Sequence, residues 1–302
     1  MLRSALTGVR VVFADKHRDG AAHQEYLHRF RESDVCFGNV PADWLPQASR
    51  LRWLQLESVG FEYYQHVQNL PPGLVTTNLK GLFDTPAAET AMAGLLALYR
   101  GVDELVPAQV ERRWVSLDVR PRMQLLHGRR VVILGHGSIG RKLRQLLEAF
   151  ACRVQSFART TAGAELRTAP ELDAALPDAD IVACCLPNTP ATRGLFDRRR
   201  LALLAPGAVF VNIGRGLVVD EPALVETLQQ RRIGGAVLDV TYEEPVPPDH
   251  PLWSCPRTLL LQHTGGGYDG ELPAKARAFV ANFARFEAGA PLHHVVNLSQ
   301  GY

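Results

Sequence analysis

Three stretches in the second half of the chain each follow an apolar run with a residue able to do chemistry: Arg215 in NIGRG, Glu244 in DVTYEEP and His263 in QHTGGG. A guanidinium presents a planar fork that grips a carboxylate through two hydrogen bonds and polarises a carbonyl beside it. An imidazolium can give a carbonyl oxygen its proton as hydride reaches the carbon, then act as base in reverse. A neighbouring carboxylate favours the charged imidazole. Together the three suit reduction of a 2-keto acid. Taken singly, each has a plainer explanation. Arg215 could be a surface loop arginine, Glu244 one more exposed acid beside Glu243, and His263 one of ten histidines without a chemical role. The expectation rests on their shared place just beyond the carboxyl ends of strands, where open α/β sheets bind ligands.

A fourth stretch, VVILGHGSIG (131–140), predicts a strand, a glycine turn and the start of a helix, with Leu143, Leu146, Leu147 and Phe150 following Ile139 at helical spacing. Gly135, Gly137 and Gly140 would permit a tight turn, close approach of a pyrophosphate and close helix packing, with Ser138 and Ile139 opening the helix. A glycine-rich turn without a ligand also explains the motif alone, but the strand–turn–helix context favours a dinucleotide. An acidic residue about twenty positions further on would ordinarily hold the adenosine ribose. The second strand instead ends in QSFARTT, with Ala158 at that place. An acid would repel the extra phosphate of NADP; Ala158 removes the repulsion, while Arg159 and Thr160 offer a cation and a hydroxyl. NADP(H) is therefore expected as the preferred cofactor, with NAD(H) possible. Arg159 as an ordinary surface arginine is the alternative.

The elements that must position these residues form an alternating series. Six strands are predicted in order, RVVILG, RVQSFA, DIVACCL, AVFVNI, GAVLDV and TLLLQ, separated by helix-like or polar segments. The first hundred residues show the same rhythm in VRVVFA, DVCFGNV, LRWLQLES and GLVTTN, followed by a helix opening near Thr85 and Pro86. The long helical stretch ELPAKARAFVANFARFEAG is expected to return to the first domain. This predicts an α/β protein with a discontinuous substrate domain, residues 1–100 and 276–302, around a dinucleotide-binding Rossmann domain, residues 101–275.

Composition supports an ordinary globular protein. The chain has 302 residues, 46% hydrophobic and 21% charged, with 33 basic against 31 acidic residues. Neither that balance nor the short arginine run 198–200 makes a nucleic-acid patch. Five cysteines without a C-x-x-C pair fit reduced thiols in a cytoplasm, and no metal site is predicted. The opening MLRSALTGVRVVFADKH meets Asp15 and Lys16 too soon for a secretory signal and reads as a core strand. No apolar stretch reaches membrane-spanning length, so no membrane partner is expected.

These blocks, together with CLPNTPATRGLF (185–196) and VNIGRGLVVDEPAL (211–224), resemble the D-isomer-specific 2-hydroxyacid dehydrogenases over nearly the whole chain. The family includes glyoxylate and hydroxypyruvate reductases. The resemblance implies two doubly wound parallel-sheet domains, the Rossmann domain inserted in a flavodoxin-like one, and usually a homodimer joined through the arm that carries Trp114. It implies Arg215 as substrate clamp, His263 as acid/base and Glu244 as its partner. Backbone N–H groups of Val59 and Gly60 would help bind the substrate carboxylate. Leu186, Pro187, Thr192, Ile213 and Gly214 would lie along the cofactor, with Asp239 near the nicotinamide carboxamide. Three departures stand out: Gln262 where Pro is frequent, Thr241 where Phe is frequent, and His136 inside the glycine motif, read either as a phosphate contact or as a solvent-facing loop residue. Glu244 argues against the related formate dehydrogenases, which generally carry Gln there. A phosphite dehydrogenase and a dinucleotide-sensing corepressor remain as alternative readings.

Overall fold

The computed structural model describes residue 2, residues 6–13 and residues 21–298. It divides the chain into two compact units, one running to Leu82 and resuming at Tyr268, the other spanning Phe83–Gly267.

In the first unit, β1 (Val35–Phe37), β2 (Trp53–Gln55) and β3 (Val75–Thr77) pair in parallel, and β10 (Val295–Val296) adds antiparallel to β3. Alternation along β2 decides what covers each face. Leu54 meets Leu27 and Phe30 of helix Ala21–Arg31 on one side. Trp53, fully buried, meets helix Glu271–Glu287 on the other, its ring 5.2 Å from that of Phe279 and 5.5 Å from that of Phe286. Buried polar groups on this face are paired: Trp53 Nε1 donates to Thr77 Oγ1 (2.8 Å), and Asn282 Nδ2 donates to Gln55 Oε1 (3.1 Å). The strand expected over residues 9–14 is not found: residues 10–13 carry no regular structure, Val12 and Phe13 are exposed, and Ala14 lies outside the described residues. A run of β-branched residues favours a strand only where a sheet edge is present to receive it.

The second unit holds all six predicted strands: β4 (Arg130–Leu134), β5 (Arg153–Phe157), β6 (Ile181–Cys184), β7 (Val209–Asn212), β8 (Gly235–Leu238) and β9 (Thr258–Leu260). They form one parallel sheet in the order β5-β4-β6-β7-β8-β9. A bridge between Phe157 and Leu166 extends its β5 edge. Val131 and Ile133 face helices Asp84–Tyr99 and Ser138–Ala149, while Val132 and Leu134 face a second core that includes Leu172, Leu201 and Leu224. Leu143 and Leu147 are fully buried, each contributing about 2 kcal/mol of apolar transfer. Because β5 and β6 leave β4 in opposite directions, the chain switches direction at the carboxyl end of β4, where such sheets open a ligand crevice.

The junctions differ from the expected ones near residues 100 and 276: they fall at Leu82/Phe83 and Gly267/Tyr268. Helix Asp84–Tyr99 belongs to the second unit because Ala88, Ala91, Leu95 and Leu98 join its core, and a Cβ at Gly94 would lie 2.3 Å from Val237 Cγ1. A helix small and apolar on both sides carries no sequence mark of which sheet it covers.

Candidate active site

The turn after β4 is built by its glycines. Gly135 has φ +109° and donates to the Phe157 carbonyl (2.9 Å). A Cβ at Gly140 would lie 2.2 Å from the Gly135 oxygen, so only glycine brings the helix this close to the strand. At Gly137, by contrast, a Cβ would meet nothing within 4 Å. The turn is therefore open on the side a pyrophosphate would approach. Helix Ser138–Ala149 has Gly137 as N-cap and no side-chain cap, which leaves its first N–H groups for an anion. Ser138 and Ile139 are half-buried there. These features fit a dinucleotide.

Beyond β5, Ala158 is buried and its N–H donates to the Leu166 carbonyl (3.0 Å), while Arg159 and Thr160 are exposed. The next acid along the chain, Glu165, is engaged elsewhere, accepting from Ser156 N (2.8 Å) and Arg144 Nη1 (2.7 Å). Its carboxyl titrates low: the N–H of Ser156 and the Arg144 guanidinium outweigh the opposing effect of burial. Beyond β6, Thr192 Oγ1 accepts from Thr189 N (2.8 Å) and donates to the Pro187 carbonyl (2.6 Å), so this hydroxyl shapes the loop. His136 is buried at 8% exposure, which rules out the solvent-facing reading.

The loop of Arg215 is fixed from both flanks. Asn212, the last residue of β7, accepts from Gly214 N (3.1 Å) and donates to the Arg215 carbonyl (3.1 Å). Ile213 N donates to Cys184 O (3.0 Å). A Cβ at Gly214 would lie 2.6 Å from the Leu186 oxygen, and one at Gly216 would lie 1.9 Å from that of Thr241. The two glycines thus let three strand-end loops meet backbone to backbone around a half-buried Arg215. Asp220 caps the following helix, accepting from Ala223 N (3.0 Å), and Glu221 accepts from Tyr242 N (2.8 Å), tying this segment to the loop that carries Glu244.

Glu244 Oε1 accepts from Thr241 N (2.9 Å), and Oε2 lies 2.5 Å from His263 Nδ1. That contact leaves Nε2 for a substrate oxygen, on a ring 55% exposed. The Glu244 hydrogen bond raises the His263 pKa against the effects of burial and of the Arg215 charge. Burial pushes Glu244 the other way, but the hydrogen bonds from His263 and Thr241 hold it below the usual carboxylate range. Arg215 lies close enough to act electrostatically on both.

The His263 loop has unusual backbone. Gln262 and His263 both have φ +55°, a region costly for residues with a Cβ. Proline, fixed near −65°, cannot take the place of Gln262 in this conformation. Asp239 holds the turn: its carbonyl accepts from His263 N (2.6 Å), and its Oδ1 accepts from Thr264 N and Gly265 N (3.0 Å each). Burial raises the Asp239 pKa, opposed by these donors. The positioning roles of Asn212 and Glu221 escaped the sequence reading. The available signal was a polar residue ending a strand or opening a helix, which can bond backbone a few positions away. In the first unit, the carbonyls of Val59 and Gly60 accept from Asn78 Nδ2 (2.8 Å) and Ser58 Oγ (2.6 Å).

Residues 92–265 match the family described as D-isomer specific 2-hydroxyacid dehydrogenase, NAD binding domain. The chain is 31% identical over 291 residues to the glyoxylate reductase of Aeropyrum pernix, covering 91% of this chain and 86% of the relative. The crystal structure of a D-isomer specific 2-hydroxyacid dehydrogenase family protein from Aeromonas salmonicida superposes with a TM-score of 0.84 at 30% identity, covering 98% of this chain and 94% of the other. An NADPH-dependent glyoxylate/hydroxypyruvate reductase from Sinorhizobium meliloti, solved with NADP and sulfate, gives 0.79 at 26% identity, covering 100% and 96%. Sequence and fold together make this chain a member of the D-isomer specific 2-hydroxyacid dehydrogenases, the NAD(P)-dependent oxidoreductases of 2-hydroxy acids.

Proposed function

We propose that the protein is an NADPH-preferring reductase of a small 2-keto acid such as glyoxylate or hydroxypyruvate. The observation that carries this reading is the 2.5 Å contact between His263 Nδ1 and Glu244 Oε2 beside Arg215. The reduced nicotinamide, when bound, supplies hydride to the keto carbon. His263 donates the Nε2 proton to the carbonyl oxygen, and Glu244 stabilises the imidazolium until then. Arg215 grips the carboxylate and draws electron density toward the carbonyl oxygen, where charge develops. In the same reading the backbone N–H groups of Val59 and Gly60 are assigned as further donors to the carboxylate, and Asp239 to the nicotinamide carboxamide. The reductase names of the Aeropyrum and Sinorhizobium proteins support the substrate class. Steady-state kinetics over a panel of 2-keto acids with both reduced cofactors tests it; no turnover with any of them refutes it.

The cofactor preference is supported by Ala158 beside Arg159 and Thr160, with Glu165 committed to Arg144. Ala158→Asp is expected to lower the ratio of kcat/KM for NADPH over NADH roughly tenfold or more, because a carboxylate repels the 2′-phosphate and bonds the free ribose. An unchanged ratio counts against this assignment.

Reduction consumes the imidazolium. Since His263 titrates above its ordinary value, reductive kcat/KM should persist above the usual histidine range and fall as pH rises through the raised pKa. Glu244→Gln removes the charge that raises it, so the falling limb should move to lower pH. A limb that stays in place would mean that another group controls it.

A homodimer is part of the same reading. Val106, Val110, Trp114, Leu117 and Leu125 are exposed, Trp114 by 93%, and apolar side chains this bare along one segment suit a partner surface.

A further inference from the structure

Two ionisable side chains near the site are not used by the mechanism above. Glu221 opens helix Glu221–Gln229 directly after the capping Asp220 and is only 8% exposed. His250 lies in the loop after β8, with its side chain 24% exposed. Its Nδ1 accepts from Leu252 N (3.3 Å), which puts the proton of the neutral ring on Nε2, and Nε2 faces Glu221 Oε1 at 3.5 Å. The other carboxylate oxygen, Oε2, accepts from Tyr242 N (2.8 Å). One residue earlier, Thr241 N donates to Glu244 Oε1 (2.9 Å), and Glu244 Oε2 meets His263 Nδ1. A Cβ at Gly216 would lie 1.9 Å from the Thr241 oxygen and 2.6 Å from Tyr242 N. Thr241 and Tyr242 are thus a common seat for the loop of Arg215 and for the carboxylate that partners His263.

A carboxylate withdrawn from water is costly, and an apolar side chain would cover this helix end without that cost. The positive end of the helix and the imidazole N–H offset only part of it. What the carboxylate adds is a hydrogen bond to the one backbone segment on which both Arg215 and Glu244 rest. We propose that Glu221, backed by His250, forms a positioning pair that holds Thr241 and Tyr242 in place, so that Glu244 reaches His263 and the loop of Arg215 keeps its seat. Neither residue touches the reacting atoms. The assignment rests on the acid/base reading above.

The test is reductive kcat and kcat/KM against pH for wild type, Glu244→Gln, Glu221→Ala, Glu221→Gln and His250→Asn, beside NADPH titrations and thermal melts. Alanine at 221 frees the Tyr242 amide, and a misplacement of about 1 Å can cost about 10²-fold in rate, so kcat should fall by about tenfold or more with NADPH affinity unchanged. Its falling limb should move to lower pH, toward that of Glu244→Gln, because Glu244 no longer sits firmly against His263. Glutamine keeps an acceptor for Tyr242 N and should recover most of both. Asparagine at 250 can still cap Leu252 N but cannot reach Glu221, and should shift the limb less in the same direction. This variant decides the question even where alanine does not fold. A purely structural role would lower the melting temperature and leave the limb in place. If Glu244→Gln moves the limb while Glu221→Ala or His250→Asn leaves it where wild type has it, the positioning pair is refuted and the acid/base reading stands. If Glu244→Gln itself leaves the limb in place, the acid/base reading falls first and this assignment with it.

Discussion

His263→Ala is expected to reduce 2-keto acid roughly 10³-fold more slowly than wild type while binding NADPH with nearly unchanged affinity. The proton must come from a group facing the carbonyl oxygen, and His263, with Nδ1 held by Glu244, keeps Nε2 for that oxygen. Water can replace it only at the ordinary cost of an unpositioned acid. The loss should fall on kcat, and the fall of activity with rising pH should vanish with the imidazole. The proposed cofactor contacts should be spared because, among the described residues, the glycine turn after β4 shares no side-chain bond with the histidine loop. Single-turnover kinetics with NADPH in excess would measure the chemical step directly. Wild-type rates in that experiment would remove His263 from the mechanism.

The second large effect is expected at Arg215. On the proposed mechanism Arg215→Ala removes both the carboxylate clamp and the positive charge beside the developing alkoxide, and kcat/KM should fall by about 10³-fold. Arg215→Lys should recover little, since an ammonium keeps the charge but not the planar fork. The guanidinium also lowers the His263 pKa, so either loss of charge or its displacement should shift the residual pH profile upward. The neighbouring backbone should hold, because Asn212 and the two glycines fix it without the arginine side chain. Retention of wild-type kcat/KM in both variants would show that the substrate carboxylate is bound elsewhere.

Much of this could be read before the fold was known. Buried parallel strands are short runs of apolar residues between turn signals, and most of the second unit's six declare themselves that way, while β5 at the sheet edge alternates apolar and polar residues. Arg215, Glu244 and His263 were legible because each follows such a run. Other features depend on neighbours distant in the chain. The glycines around Arg215 suggest a close approach, but not that the approaching groups are the carbonyls of Leu186 and Thr241 rather than a ligand. Gln262 and His263 give no hint of their positive φ, which is enforced by Asp239 reaching from another strand. The run at 9–14 looks like a strand from its residues alone, yet pairing is a property of the edge that would receive it. The helix Asp84–Tyr99 hides its allegiance for the same reason: the partners of Ala88, Ala91, Leu95 and Leu98, and Val237 opposite Gly94, decide which core it joins.

The division of the chain has a consequence for biosynthesis. Trp53 stacks on Phe279, and β3 pairs with Val295 and Val296, so the unit begun before the inserted one is completed by residues translated after it. The inserted unit, ending at Gly267, has all its strands once that point has left the ribosome. Emergence therefore reverses the usual order of maturation, in which the leading domain finishes first. Until helix Glu271–Glu287 arrives, the nascent leading segment must keep a large indole without its aromatic cover.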